Sequence, residues 1–135
     1  MNIPLGLQDV AIGAAIFLLV FVCVAVLVGL PPAGRDADAE TGRAVVYAPE
    51  FAGRVMANGD RLDLGRYWCA HPTHPFGTVL SITHRRTRRT TSCVVTDRGP
   101  FSSGDIVELT PVAARAVGIP PNGAGPVAVR KLEVP

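Results

Sequence analysis

The strongest pattern along the chain is an uninterrupted apolar run. Residues 10–30, VAIGAAIFLLVFVCVAVLVGL, contain no charged side chain. Because roughly 20 helical residues cross a hydrocarbon core about 30 Å thick, the run predicts a single transmembrane helix after a short flank, residues 1–9. A cleaved signal peptide is the alternative. Three features favour an uncleaved anchor: the run is long, no Lys or Arg precedes it, and no small-x-small cleavage site stands at its end.

After the apolar run the pattern changes twice. Residues 31–42, PPAGRDADAETG, are polar with Pro and Gly, which predicts a linker. From residue 43 onward, short runs rich in β-branched residues alternate with turn residues, and this pattern predicts a β-rich domain over residues 43–135. The predicted strands are Arg43–Ala48, Thr78–His84, Thr90–Thr96, Ile106–Leu109 and Val127–Val134.

Two connections in this domain have clear signals. Arg85–Arg89, RRTRR, lies between two predicted strands and predicts a basic hairpin turn. One short helix is indicated by Thr110 as N-cap, Pro111 at the first helical position and Gly118 at the end.

Composition narrows the classes of partner. The whole chain has a formal net charge of +2, but from residue 43 onward twelve Lys or Arg residues face seven Asp or Glu residues. That excess suits an anionic polymer or an acidic surface. Aromatic residues make up only 6% of the chain, and no stripe of alternating basic and aromatic residues is present. We therefore expect no nucleic-acid partner.

Candidate chemistry begins with two groups of carboxylates. Asp97 follows an apolar strand and precedes a Gly-Pro turn, so it is either a structural cap or a reactive group. Asn58-Gly59 predicts a tight turn, with Asp60 and Asp63 just beyond it. These two residues form either a solvated acidic loop or part of a site.

A third cluster contains two histidines. His71 and His74 are three residues apart, but Pro72 and Pro75 prevent a helix that would align them. Zinc needs three or four ligands, and no second ligand pair stands out in the sequence. We therefore predict no metal site, and His71 is expected to orient a carboxylate or a substrate hydroxyl.

Short motifs in a fixed order connect these clusters. They are Tyr47, Gly53-Arg54, Ala57-Asn58-Gly59, Asp63, Ala70-His71, Pro75-Phe76-Gly77-Thr78, Asp97-Arg98-Gly99-Pro100-Phe101 and Leu109-Thr110. The ordered set resembles the rare lipoprotein A (RlpA)-like septal ring lytic transglycosylases. That family's pattern has a Gly-Arg-x-Thr-Ala-Asn-Gly-Glu-x-x-Asp loop, then Asn-Asp-Arg-Gly-Pro-Phe, then an Asp-Leu-Ser helix start.

The resemblance implies both a fold and an activity. The implied fold is mainly β: a six-stranded double-psi β-barrel with one or two short helices, preceded here by the predicted transmembrane helix. The implied activity is cleavage of peptidoglycan glycan strands between N-acetylmuramic acid and N-acetylglucosamine, leaving a 1,6-anhydro end. The muramic sugar supplies its own C6 hydroxyl as nucleophile, so one acid/base group is enough, and no cofactor is implied.

Site residues follow from the same resemblance. The implied acid/base is Asp60, with His71 and Asp97 positioning it or tuning its proton affinity and Asp63 shaping the loop. The substrate-binding residues are expected to be Tyr47, Asn58, Arg98 and Phe101. The family has Glu where this chain has the shorter Asp60, and Thr where it has Met56.

Related double-psi barrels often carry disulfides, so we predict that Cys69 and Cys93 are bonded. Two unpaired buried thiols are the alternative. A disulfide implies an oxidising compartment. We therefore expect a single-pass membrane protein whose C-terminal domain is extracytoplasmic, on the periplasmic or cell-wall side.

Two other function classes stay open. An expansin-like module would bind peptidoglycan glycan without cleaving it, and the change to Asp60 fits that reading. A structural partner of a cell-division or envelope protein complex would use Arg85–Arg89 as its contact surface. The ordinary reading of those arginines is a solvated turn.

Overall fold

The structure, a computed structural model, describes residues 38–133. Its strands are β1 Glu40–Val46, β2 Trp68–Ala70, β3 Val79–His84, β4 Thr90–Asp97, β5 Asp105–Leu109 and β6 Ala124–Lys131. The helix α1 is Pro111–Val117, and a 3-10 turn covers Pro49–Phe51. The predicted transmembrane run, residues 10–30, lies outside the described residues. Within residues 38–133, no helix has the length and apolar character needed to cross a bilayer.

The six strands close into a barrel in the order β1-β5-β2-β4-β3-β6. β1 pairs in parallel with β5 and antiparallel with β6, so the first strand is held by the two last strands. β2 pairs in parallel with β4 and antiparallel with β5. The predicted mainly-β barrel of six strands with short helices is therefore confirmed, and it fits a double-psi β-barrel.

Several strand limits differ from the sequence prediction. β1 begins at Glu40, three residues earlier than predicted, because Glu40 to Gly42 pair with Val127 to Val129 although the side chains of Glu40 and Thr41 are exposed. β2 was not predicted, because three residues are too few to show an alternating pattern. β6 begins at Ala124 and includes Gly125, where a Cβ would lie 2.8 Å from His84 Nε2. Packing requires that glycine, although it weakens the strand signal.

The core lies inside the barrel and under α1. Alternate residues of β6, such as Val127 and Val129, are buried, as are Ala113, Ala114 and Val117 of the helix. Cys69 of β2 and Cys93 of β4 form the predicted disulfide, and their side chains are almost fully buried. The barrel closes on itself around its own core, so residues 38–133 contain all six strands and their buried side chains.

The predicted connections are confirmed with one correction. Arg85–Arg89 forms the turn between the antiparallel strands β3 and β4. The helix begins at Pro111 and ends at Gly118, which has a φ of 88°. Thr110 occupies the N-cap position but makes no side-chain cap. Its buried hydroxyl instead donates to the carbonyl of Arg66 at 2.6 Å. This bond connects the loop before β2 to the end of β5.

Candidate functional site

One open pocket of about 260 Å³ lies where the ends of β1, β4 and β5 meet the loop after the 3-10 turn. Its polar groups come from the strand ends and from Arg54 of the loop, and the loop residues Val55, Met56 and Leu62 supply an apolar wall. The lining residues are Tyr47, Phe51, Arg54, Val55, Met56, Leu62, Asp97, Arg98 and Glu108.

Asp97, the last residue of β4, is held from three sides. The Tyr47 hydroxyl donates to Oδ2 at 2.7 Å. The backbone N–H groups of Ala57 and Arg98 donate to Oδ1 at 2.9 and 2.8 Å. Both carboxylate oxygens therefore have a defined position at the pocket wall.

Tyr47 is the donor that connects β1 to this carboxylate. Its side chain is only 6% exposed. Burial raises the pKa of the Tyr47 hydroxyl above its ordinary value, and the hydrogen bond to Asp97 raises it further. Tyr47 thus remains protonated and acts as a fixed hydrogen-bond donor.

Glu108 is a pocket residue that the sequence reasoning missed. It lies half-buried on β5, between the buried residues Val107 and Leu109. Burial raises the pKa of the Glu108 carboxyl, and the negative charges of Asp97 and Asp105 raise it further. A carboxyl group with a raised pKa can hold a proton that an ordinary glutamate would lose.

Strand register explains why the two carboxyl groups face one pocket. Ala70 of β2 pairs with Asp97 on one side and with Glu108 on the other. Neighbouring strands are about 4.8 Å apart, so the backbones of the two acidic residues lie roughly 10 Å apart, with β2 between them. The residue between them, Ala70, contributes only a methyl group, which is buried in an apolar cluster with Tyr47, Met56 and Leu62. The signal that could have found Glu108 is its position before Leu109-Thr110, where the family pattern has Asp before Leu-Ser.

The Asn58-Gly59 turn forms as predicted, with Gly59 at a φ of 93°. Within it, Asn58 Nδ2 donates to Asp60 Oδ2 at 3.1 Å, and the Asp60 N–H donates to Asn58 Oδ1 at 3.0 Å. Asp60 is exposed and is not among the residues that line the pocket. Asp63 is also exposed, where it accepts a bond from the Gly65 N–H and lies 3.5 Å from Arg66. The structure therefore does not bring these two carboxylates into the pocket with Asp97.

Met56, which replaces the family's threonine, is buried under this turn. Its sulfur accepts a hydrogen bond from the Thr96 hydroxyl at 3.3 Å, and the Asn58 N–H donates to the Thr96 carbonyl at 3.2 Å. These contacts hold the loop against β4, one residue before Asp97.

His71 is buried next to the Asp97 backbone, and both of its ring nitrogens have hydrogen-bond partners. Its Nδ1 accepts the backbone N–H groups of Thr73 and His74, both at 3.1 Å. In the neutral ring the proton therefore lies on Nε2, which faces Glu40 Oε2 at 3.0 Å. The backbone N–H of His71 donates to the Asp97 carbonyl at 3.2 Å. His71 is therefore held by its own loop and by Glu40, and it does not line the pocket.

Arg98 connects the histidine loop to the pocket. Its Nη1 donates to the carbonyls of His71 at 3.2 Å and His74 at 2.7 Å, and its guanidinium lies 4.0 Å from the centre of the Phe76 ring. The Nη1 atom of Arg98 thus holds the histidine loop in place, and the residue also lines the pocket. Phe101 does not line the pocket, but its ring is 82% exposed on the loop that follows.

His74 lies beside His71 with ring centres 4.3 Å apart. Burial lowers the pKa of His74, and the neighbouring His71 lowers it further. Among residues 38–133, no three His, Cys, Asp or Glu side chains are grouped as metal ligands would be.

Comparison with protein families gives one match over this barrel. The family described as "Lytic transglycolase" matches residues 39–129. The chain belongs to this family. The lytic transglycolase domain therefore covers the whole barrel except the last residues of β6.

Curated relatives support the assignment. The chain is 42% identical over 88 residues to a Synechocystis protein named "Probable endolytic peptidoglycan transglycosylase RlpA". The aligned region covers 65% of this chain and 27% of the relative. The chain is 34% identical over 96 residues to the "Endolytic peptidoglycan transglycosylase RlpA" of Pasteurella multocida, covering 71% of this chain and 33% of that protein. The chain thus spans about a third or less of the length of these relatives.

Solved structures support the fold of the lytic transglycolase domain. An expansin of Clavibacter michiganensis matches with a TM-score of 0.56 and 23% identity, over 72% of this chain and 52% of the expansin. A mutant of that expansin was solved in complex with cellohexaose, and it matches at 21% identity with the same TM-score. At this level of identity the likeness concerns the fold alone.

Proposed function

We propose that the barrel is a peptidoglycan lytic transglycosylase domain that cleaves the β-1,4 bond between N-acetylmuramic acid and N-acetylglucosamine. The observation that carries the proposal is the pairing of two unlike carboxyl groups in one open pocket. Asp97 is fixed by three donors, and Glu108 has a raised pKa. Two titratable groups whose environments differ in this way are typical of acid/base sites.

The proposed chemistry needs one proton donor and no water. Glu108 donates its proton to the glycosidic oxygen as the bond to the anomeric carbon breaks. The C6 hydroxyl of the muramic sugar then attacks that carbon, and the Glu108 carboxylate takes up the hydroxyl proton. The donor is restored, and the product is a 1,6-anhydro end. The Asp97 carboxylate stabilises the positive charge that develops at the anomeric carbon.

Asp60 remains the competing candidate for the acid. Its exposed carboxylate lies in a turn closed by Asn58, and a change in that turn would be needed to bring it to the pocket. Arg54 and Arg98 line the pocket and provide donors for sugar hydroxyl groups. The exposed Phe101 ring offers an apolar face on which a pyranose ring could stack, and Asn58 is proposed to bind the glycan at the turn.

The relatives support this reaction through their names, since both the Synechocystis and the Pasteurella protein are named as endolytic peptidoglycan transglycosylases. A direct test incubates residues 38–135 with purified peptidoglycan and analyses the products by mass spectrometry. We expect anhydro-muramic ends with the wild type, a strongly reduced yield with Asp97→Asn or Glu108→Gln, and normal yield with Glu133→Gln, a control carboxylate that is exposed. Unchanged yield from Glu108→Gln together with its loss in Asp60→Asn would assign the acid to Asp60.

A non-catalytic, expansin-like glycan-binding module is the second candidate. It is favoured by the structural likeness to expansin, one form of which was solved with a bound cellohexaose, and by the exposed position of Asp60. Co-sedimentation with peptidoglycan separates the two functions. Tight binding without any new fragment would reject the enzyme and support the module.

We also propose a membrane anchor and an extracytoplasmic domain. The uncharged run at residues 10–30 supports the anchor, and the Cys69–Cys93 disulfide supports an oxidising compartment. Protease added to intact cells, and to cells whose outer barrier has been opened, tests the orientation. Digestion of the barrel only after the inner membrane is broken would contradict it. A cell-division or envelope protein complex remains a proposed partner, to be sought by crosslinking in cells.

A further inference from the structure

The end of the barrel opposite the pocket carries a concentrated positive charge. Strand β4 begins at Thr90 beside the hairpin turn and ends at Asp97 in the pocket. Seven residues of strand separate the two, a distance of about 23 Å. We call the exposed arginines at this end the basic hairpin surface, which consists of Arg85, Arg86, Arg88, Arg89 and Arg115. It is distinct from the pocket.

The positive charge is not balanced by nearby acidic residues. The chain contains no Asp or Glu from Leu64 to Thr96, and none from Leu109 to Leu132. Those two stretches include β3, the first seven residues of β4, the hairpin and α1. The ion pairs found among residues 38–133 involve other cations: Arg43, Arg66, His71 and Lys131.

The hairpin is also more strongly fixed than a solvated turn requires. The buried His84 accepts the backbone N–H groups of Arg86 and Thr87 at its Nδ1, at 3.1 and 3.3 Å. Thr87 Oγ1 donates to the carbonyl of Val117 at 3.1 Å, which ties the turn to the end of α1. Arg88 adopts a φ of 63°, a left-handed conformation that is unusual for a residue other than glycine.

The helix contributes the fifth arginine to the same surface. Arg89 Nη2 donates to the carbonyl of Arg115 at 3.4 Å, so the hairpin lies on the last turn of α1. The side chains of Arg85, Arg86 and Arg88 make no hydrogen bond or ion pair among the contacts found in residues 38–133. Three guanidinium groups are therefore presented to solvent by a fixed backbone.

The geometry points to an anionic phospholipid bilayer as the ligand of the basic hairpin surface. Planar guanidinium groups match phosphate oxygens well. The exposed large apolar side chains of the described residues are Val55, Tyr67, Phe76 and Phe101, and none belongs to this surface. A protein interface usually has an aromatic or aliphatic anchor, whereas attraction to lipid headgroups needs only clustered cations.

The chain outside the structure favours the same ligand. Residues 31–39 separate the predicted membrane run from β1. Nine residues span at most about 32 Å. A membrane-inserted segment would present headgroups to the barrel at a high effective concentration, so individually weak contacts with phosphates would suffice.

The test measures partition of residues 38–135, which contain the whole closed barrel, onto vesicles of phosphatidylglycerol mixed with phosphatidylcholine and onto phosphatidylcholine alone. We expect partition onto the anionic vesicles that falls as salt is raised. The hairpin variant combines Arg85→Gln, Arg86→Gln and Arg88→Gln. Because each arginine near an anionic surface contributes roughly fivefold, it should lower the partition coefficient about 100-fold.

A matched control variant loses the same charge outside this surface, through Arg61→Gln, Arg66→Gln and Lys131→Gln. Its partition coefficient should fall by much less. Equal losses in the two variants would show a general charge effect and overturn the proposal. Failure of the wild type to bind anionic vesicles at low salt would also overturn it and would point to a protein partner. The unfolding temperature of the hairpin variant should match the wild type, since the altered guanidinium groups bond to nothing in the barrel.

Discussion

Asp97 and Asp60 belong to motifs of the same family pattern, yet their carboxylates are held by different parts of the chain. Asp97 ends a barrel strand and is held by groups from β1, from the loop and from its own turn. Asp60 follows a tight turn and is exposed, and among the described residues its carboxylate accepts a hydrogen bond only from Asn58, two residues away. A carboxylate fixed by distant parts of the chain can be placed accurately against a substrate, whereas a locally bonded one follows its loop.

The largest expected effect is that of Asp97→Asn. The substitution keeps the size of the side chain but removes the charge proposed to stabilise the transition state. We expect the rate of anhydro-product release to fall by about 10³-fold. The measurement is single-turnover product release by mass spectrometry, with circular dichroism as a check on folding. A variant within tenfold of the wild type would remove Asp97 from the chemistry and leave it as a structural cap.

The next effect is that of Glu108→Gln, which removes the proposed proton donor. We expect a rate loss of about 10²–10³-fold. In the wild type, the raised pKa of Glu108 keeps the acid form to higher pH than for an ordinary glutamate. Activity should therefore fall as pH rises through that pKa, and this descending limb should be absent from the residual activity of the variant.

Stability provides an independent readout for Glu108. Because its folded-state pKa is raised, the native state binds the proton more tightly than the unfolded state does. That contribution is present below the unfolded pKa and is lost as pH rises through the folded pKa. Glu108→Gln should consequently be at least as resistant to urea as the wild type at neutral pH. A clear loss of stability there would mean that Glu108 has a structural role.

A smaller effect is expected for Tyr47→Phe. The ring and its packing remain, but Asp97 loses the donor to Oδ2. A hydrogen bond to a charged group is worth about 2 kcal/mol, so we expect up to a 30-fold decrease in kcat with little change in KM. A rise in KM alone would indicate that Tyr47 contacts the glycan instead of positioning Asp97.

The smallest effect should come from Asp60→Asn. Its exposed side chain leaves the barrel core untouched, and the stability change should lie within about 0.5 kcal/mol. We expect activity within about threefold of the wild type if Glu108 is the acid. A loss of a hundredfold or more would reverse the comparison and make Asp60, in a rearranged turn, the proton donor.

The comparison also shows which features were accessible from the sequence. The ordered motifs predicted the barrel, the Asn58-Gly59 turn and the Cys69–Cys93 pair, because each depends on local chemistry or on a pattern shared with the family. Glu108 was missed, because its raised pKa arises first from burial in the folded barrel and then from the negative charges of Asp97 and Asp105.

Other contacts were missed for the same reason. The substrate-binding role of Arg98 stays a prediction, but its hydrogen bonds to carbonyls 24 and 27 residues earlier in the chain were not predicted. Thr110 has the sequence signal of a helix cap, and the Arg66 carbonyl competes successfully for its hydroxyl. Predictions from local patterns fail where a distant partner determines the contact.

The pairing of β1 with β5 and β6 has a consequence for biosynthesis. The first strand leaves the ribosome with no neighbour available, because both of its partners are made after residue 104. Pairing between such distant segments is slow. A chain stopped before Ala124 would leave β1 and β3 each without one partner, so the barrel cannot close until nearly all of residues 38–133 have been synthesised.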